Sequence, residues 1–250
     1  MLQENKKLNI LLTTIFYVAF LLFINFRFSD YTYEWDFINR YFPIILKGWG
    51  QTLLLTIVSL LFSLVIGLVL YFMKQSKILF FNYIGKVFTE IMFGTPLLVL
   101  VVILYYIVGR AFNINDKFIS AIIILTSYNS AYISEIYRSG IESIPDGQWK
   151  AAKVFGFNEY QTYRYIILPQ IIKTILPPLT GQLALLVKST ALLSYMAVNE
   201  FFNTMMGVNS NTFATIEGYI VLAIGYLIIT IPISLAIKKM ERRLKVKQWF

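Results

Sequence analysis

The chain contains no cysteine and no histidine among its 250 residues. The first absence excludes disulfides and thiol catalysis, and the two together remove the usual zinc ligands and imidazole acid–base chemistry. Charge is scarce as well. Charged residues make up 14% of the chain against 58% hydrophobic, whereas a soluble domain carries about a quarter of its residues charged to coat its outside. With a mean hydropathy of +0.66, this shortage excludes a soluble globule, a disordered chain and a coiled coil. The outside must be mostly lipid. No Gly-x-x-x-x-Gly-Lys-Ser/Thr phosphate loop occurs, so the chain has no such loop with which to hydrolyse nucleotide. No repeat of 20–50 residues and no low-complexity stretch is visible.

What is present is a series of apolar runs. A membrane span needs about 20 mostly apolar residues, and six runs approach that length: 8–26, 52–73, 91–109, 118–134, 175–198 and 220–237. The expected fold is therefore all-α, a multi-pass membrane protein of six helices. The first run follows Lys6 and Lys7 and invites comparison with a signal peptide, but it is longer than a usual leader core. Asn25-Phe-Arg-Phe-Ser29 also offers no small-x-small cleavage site, so an uncleaved helix is expected.

The net charge of +9 raises the question of nucleic acid, which the positions of the charges answer. With the N-terminus inside, sixteen of the 22 Lys and Arg fall in 1–7, 74–90, 135–174 and 238–250, and five (Arg27, Arg40, Lys47, Arg110 and Lys117) fall outside. Lys and Arg concentrate in cytoplasmic loops, so both termini are expected in the cytoplasm, the charge reads as topology, and no nucleic-acid partner is expected.

The loop between the fourth and fifth runs has its own punctuation. Pro145 breaks a helix arriving from the membrane, Asp146 offers a cap for a new one, and Gly156 suits the left-handed residue that ends it. Asn158 with Gln161 three residues on has the form of a capping box. Two short surface helices joined at Gly156 are predicted, the first amphipathic, with Trp149, Ala152, Lys153 and Gly156 on one side. Such a helix either rests on lipid headgroups or meets another protein.

Inside the spans, Thr52, Thr56, Ser59, Ser63 and Gly67 form one small, polar face of the second helix, and Ser127, Ser130, Ala131 and Ser134 repeat the pattern in the fourth, with Asn129 beside them. Close helix packing and a solute pathway both produce such a face. Lys188 lies about 20 Å along the fifth run, where an ionisable group faces the bundle interior or a water-filled path. Its alternatives are an ion pair with Glu200 or Glu217, or contact with a solute carboxylate.

Several of these elements, in order, resemble one family. Lys150-Ala151-Ala152, Gly156 and Ile166-Ile167-Leu168-Pro169 are similar to the Glu-Ala-Ala (EAA) loop of ABC importer permeases. The polar amino-acid uptake subfamily is resembled more closely. Ala131-Tyr132, Glu135-Ile-Tyr-Arg-Ser-Gly140, Gly147-Gln148-Trp149, Leu176-Pro177-Pro178, Lys188-Ser-Thr-Ala-Leu192, Gly50-Gln51-Thr52-Leu53 and Gly94-Thr95-Pro96 carry that likeness, which spans roughly 48–241. The chain departs from the pattern at Lys150 (usually Glu), Phe93 (usually Arg), Leu100 (often Gln) and Asn199 (commonly Pro).

The resemblance implies a five-helix type I importer core at 48–241, preceded by a tail, an extra helix at 8–26 and an outer loop within 1–47, and followed by a basic tail at 242–250. Within the core, a coupling loop at about 140–169 would dock on a separate ATP-binding subunit through Gly147, Trp149, Lys150, Ala151, Ala152, Phe155, Gly156 and Phe157. ATP and Mg would be held by that subunit, with no cofactor, metal or catalytic residue in this chain. An extracytoplasmic binding protein and a second permease copy or paralogue are the other implied partners, in a prokaryotic cell membrane. The implied pathway or gate residues are Lys188, Ser189, Thr190, Ser59, Ser63, Thr95, Asn129 and Glu200, passing a polar amino acid or similar carboxylate-bearing solute. An ion-coupled secondary transporter is the alternative. It would ordinarily show acidic relays within its spans, and none lies mid-span here.

Overall fold

A computed structural model describes residues 4–27 and 31–246, without the side chains of 4–7, 21, 25 and 243–246. The side chains of Lys6, Lys7, Arg243 and Lys245, and the whole of Lys247, thus lie outside the described residues. All regular structure among those described is helical: α1 (Glu4–Arg27), α2 (Phe37–Gln75), α3 (Leu79–Gly94), α4 (Leu97–Ile103), α5 (Lys117–Glu142), α6 (Asp146–Val154), α7 (Glu159–Gln161), α8 (Leu168–Ser189), α9 (Phe201–Thr212) and α10 (Thr215–Val246). A π-helical stretch, Leu104–Gly109, extends α4; another, Thr162–Ile167, joins α7 to α8; and a 3₁₀ stretch, Thr190–Met196, extends α8.

Three helical stretches are each long and apolar enough to cross a bilayer: α2, the run 159–196 and α10. The third expected run, 91–109, is not a straight helix. It divides at Thr95-Pro96, and α3 meets the α4 segment at 114°. The cause is local. A residue before proline is pushed out of the helical region, and Thr95 is extended at φ −108°, ψ 127°. Pro96 has no N–H to continue the ladder, and its carbonyl starts the next helix by accepting from the N–H groups of Val99 and Leu100. Pro177 and Pro178 lie inside the helical stretch Leu168–Ser189, where each lacks the N–H for one ladder bond.

The centre of the fold is the packing of α2 on α5. Thr52, Thr56, Ser59 and Ser63 are all buried on α2, and Thr126, Asn129, Ser130, Ile133 and Ser134 are buried on α5; Ser59 and Ser63 meet Thr126, while Thr52 turns to Glu200 and Phe201. The hydroxyl of Ser63 donates to the Ser59 carbonyl at 2.6 Å, and that of Thr126 donates to the same carbonyl at 3.4 Å. At Gly67 a Cβ would stand 2.7 Å from Ile133 Cγ2 and 3.1 Å from the Ser130 carbonyl, so only glycine admits this approach. Small residues let helix backbones approach closely in lipid, where packing rather than hydrophobic burial drives association. Around this seam lies a core of Leu55, Met92, Leu100, Val101, Ile124 and Leu186. A second cluster, with Phe37, Phe201 and Met205, sits at the end of the bundle away from α6. The described side chains of α1 are exposed along its whole length.

Candidate functional site

The expected docking residues lie on the short helices at one end of the bundle, and the expected pathway residues are spread over α2, the α3–α4 break, α5, α8 and the start of α9. At the end, Pro145 is extended (ψ 139°) and precedes α6. Asp146, expected as the cap, is instead the first helical residue, because Pro145 already supplies the non-helical position. Its charge lies in the first turn, where the helix dipole favours it. α6 closes at Gly156, which is left-handed at φ +78°, with Phe157 N–H bonded to the Ala152 carbonyl at 3.0 Å. The capping box follows: Gln161 N–H donates to Asn158 Oδ1 at 2.8 Å and Asn158 N–H to Gln161 Oε1 at 3.0 Å.

The amphipathic face of α6 turns inward. Ala152 is 1% exposed, and Trp149 packs edge-on against Tyr163, with ring centroids 5.0 Å apart, above Ile144, Ile167 and Ile171. These two residues anchor the short helices to the bundle, so Ala152 has no surface left for a partner. Gly147, Lys150, Ala151, Phe155, Gly156 and Phe157 are exposed. Val154 (85%) and Phe155 (80%) stand almost clear of the chain, and Tyr160 and Tyr165 are exposed as well. An exposed apolar group of this kind marks an interaction surface. Val154 and Tyr160 lie outside the expected docking set.

The pathway candidates separate in the same way. Ser59 and Ser63 lie in the α2–α5 seam and take the packing alternative. Asn129 is buried, its Oδ1 accepting from Gln182 Nε2 at 2.7 Å while its own Nδ2 has no partner among the described residues. Thr190 is buried, and its hydroxyl and that of Ser189 donate to helix carbonyls of Val187 and Leu185. Thr95 sits half-buried at the α3–α4 break. Glu200 is fully buried as the N-cap of α9, accepting from Phe202 and Asn203 N–H at 2.9 and 2.7 Å and from the hydroxyls of Thr52 and Tyr226. Glu217 is held by Tyr31 O–H and Glu34 N–H. Both carboxylates that might have paired with Lys188 are thus engaged elsewhere. Lys188 is exposed, on the helix face that continues Gly181, Ala184 and Leu185.

That face borders a cavity of about 660 Å³, within the range of small-molecule sites. Its walls are Tyr132 and Ile136 of α5, Pro178, Ala184 and Leu185 of α8, and Ile237 of α10, with Glu135, Arg138, Ser139 and Gln182 as its polar groups. Tyr132 is steadied by Phe93, 4.6 Å between centroids, and by Tyr128, whose hydroxyl lies 3.0 Å from its own.

Glu135 and Arg138 belong to a chain of charges, which the sequence signals only as Glu135, Arg138 and Glu142 spaced three and four apart. Lys74 Nζ lies 2.5 Å from Glu135 Oε1, Arg138 Nε 2.7 Å from Glu135 Oε2, and Arg138 Nη1 2.5 Å from Glu142 Oε2. Burial pushes the Glu135 carboxyl up, but the hydrogen bonds from Lys74 and Arg138 outweigh it and hold the group below the ordinary carboxylate value. No cluster that could hold a metal occurs among the described residues.

Among the described residues the chain is a bundle with three helices of membrane length, one bent helix pair and a short helix with an exposed apolar tip at one end. Residues 64–246 match the model of the binding-protein-dependent transport system inner membrane component. The chain belongs to that family. It is 32% identical to the glutamine transport system permease protein GlnP of Escherichia coli over 86% of this chain and 99% of that one. It is 35% identical to the L-cystine transport system permease protein TcyB of Bacillus subtilis over 84% and 91%. Its fold matches the crystal structure of an amino acid ABC transporter with histidines at a TM-score of 0.77 and 30% identity, covering 85% of this chain and all of that one. The fold is also that of the MetNI methionine ABC transporter, at a TM-score of 0.64 and 20% identity.

Proposed function

We propose that the chain is the membrane subunit of an ATP-driven importer that passes an amino acid into the cytoplasm. The observation that carries this reading is the exposed Val154-Phe155 pair on a short helix that is itself firmly capped and anchored. A rigid helix with an apolar tip is suited to transmit force from an ATP-binding subunit seated on it, and ATP and Mg belong to that subunit. An extracytoplasmic binding protein and a second permease, identical or paralogous, complete the assembly in the inner membrane of a prokaryote.

In this reading the core is 48–241, with α3 and α4 together making one of its five spans, and α1 is an added sixth. The α6 end and both termini face the cytoplasm. Lys188, on the free face of α8, meets the solute carboxylate. The match to the binding-protein-dependent transport family favours this reading over the ion-coupled alternative.

The test is co-purification and uptake. Phe155→Asp is expected to insert normally but to lose the ATPase subunit and ATP-dependent uptake, since aromatic anchors carry much of an interface's energy. Lys188→Ala should keep the assembly and lower uptake. A Phe155→Asp variant that binds the ATPase and transports like the parent would overturn the docking assignment.

A further inference from the structure

α10 is longer than a bilayer requires. Its 32 residues, Thr215–Val246, rise about 48 Å at 1.5 Å each, against a hydrocarbon layer about 30 Å thick. The apolar part ends at Ile237. Lys238, Lys239 and Arg242 come next, and Arg243, Lys245 and Lys247 continue the charge in sequence against one acid, Glu241.

The burial pattern shows where the described cations lie. Between 231 and 242 the half-buried residues are Ile233, Ile237 and Met240, spaced four and three. Met240 Sδ accepts from the Thr180 hydroxyl of α8 at 3.8 Å, so this face packs on the bundle. Ile224, Ile228, Ile231 and Leu235 lie on the opposite side, each at least 50% exposed. Their spacing of four, three and four continues, by four and three, to Lys239 and Arg242, with Lys238 alongside. A stripe that meets acyl chains within the span meets headgroups where the helix leaves it.

No acid of the described chain answers this charge. α8, on which this end packs, has no Asp or Glu from Leu168 to Ser189. Glu135 shares a recess with Ile237 but is already paired with Lys74 and Arg138. Among the described residues no ion pair includes Lys238, Lys239, Arg242 or Glu241. A second copy seated on the stripe would not answer the charge either. A two-fold axis along the membrane normal keeps equal depths together and would set like cations against each other.

We infer that Lys238, Lys239 and Arg242 form a binding surface for the phosphates of anionic phospholipids. Each such cation near a negatively charged leaflet is worth about five-fold in binding. The inference takes only the membrane setting from the family and does not depend on ATP-driven import.

The chain has no cysteine, so Leu235→Cys places a single bimane label on the stripe, about one turn from Lys239. The labelled chain, with the subunits that accompany it, is reconstituted in phosphatidylcholine vesicles at about 0.01 M salt, where the Debye length is about 30 Å. Quenching by brominated phosphatidylglycerol is compared with quenching by brominated phosphatidylcholine. The first lipid should occupy the site at least about ten-fold more strongly, which is less than the worth of two cations. At about 1 M salt, with a Debye length of about 3 Å, most of that preference should vanish. Lys238→Gln, Lys239→Gln and Arg242→Gln together should lower it at least about five-fold, whereas Lys238→Arg, Lys239→Arg and Arg242→Lys together should keep it. Equal quenching by the two lipids in the parent would overturn the inference, as would a preference that the neutralised variant retains. A disulfide between two copies at Leu235→Cys, with neither lipid quenching, would give the stripe to a second copy instead. Loss of an accompanying subunit from the neutralised variant, with the lipid preference unchanged, would give the cations to that subunit. ATP-dependent uptake on the same preparation tests the importer reading separately.

Discussion

At the scale of single residues, Gly156 shows how a backbone conformation serves a site without any contact. A Cβ placed there would meet nothing within 4 Å, yet φ is +78°. Space is available and conformation is the constraint. For an ordinary L-residue the left-handed region costs roughly 1–2 kcal/mol, whereas asparagine enters it with less penalty. Gly156→Asn is therefore expected to keep coupled uptake, and Gly156→Val to unseat the α6–α7 turn and let ATP hydrolysis run without transport. Measuring ATPase rate and uptake together separates the two; coupled transport in the valine variant would show that the turn does not transmit the movement. This glycine was legible in the sequence, since Pro145, Gly156 and the Asn158–Gln161 pair are all local signals. Lys188 was legible as an oddity, but its freedom from Glu200 and Glu217 depends on hydrogen bonds to residues far along the chain.

At the scale of elements, periodicity reveals which residues share a face but not what that face meets. The small polar stripe of α2 meets α5 across a seam in which Gly67 touches Ile133 and the Ser130 backbone. Overpacking such a contact costs about 1–3 kcal/mol. Gly67→Leu should lower the melting temperature of the purified protein and its yield in the membrane, whereas Gly50→Ala, inside the same helix at a site with nothing within 4 Å, should lower neither. Equal melting temperatures for the two variants would argue against the seam. The expected docking set on α6 is divided in a related manner: Ala152 is buried and Trp149 packs on Tyr163, whereas Gly147, Lys150, Ala151, Phe155, Gly156 and Phe157 are exposed. The bend between α3 and α4 departs from the expected single span at 91–109; the local signal for it is Thr95 before Pro96, and Met92, Leu97 and Leu100 on its two sides join the same core.

At the scale of the whole molecule, the charges join elements that hydrophobic packing alone would leave free to slide. Lys74 ends α2, Glu135 and Arg138 lie on α5, and Glu142 immediately precedes the α6 turn. The Lys74–Glu135 pair thereby ties the end of α2 to α5. The network has a defined dependence on pH. The Glu135 carboxyl is held below its ordinary value, so the folded state favours its ionised form. Its contribution is fully present above the ordinary carboxylate value and is lost as the pH falls through the lowered one. The melting temperature of the purified protein is expected to be level from neutral pH down to about 5 and to fall only in more acid solution. Lys74→Met removes one of the two cations and leaves the burial that opposes ionisation. The Glu135 value must then rise, and the acid-induced fall should begin at a higher pH than in the parent. Identical acid profiles for the parent and Lys74→Met would show that the α2 end is held by packing alone.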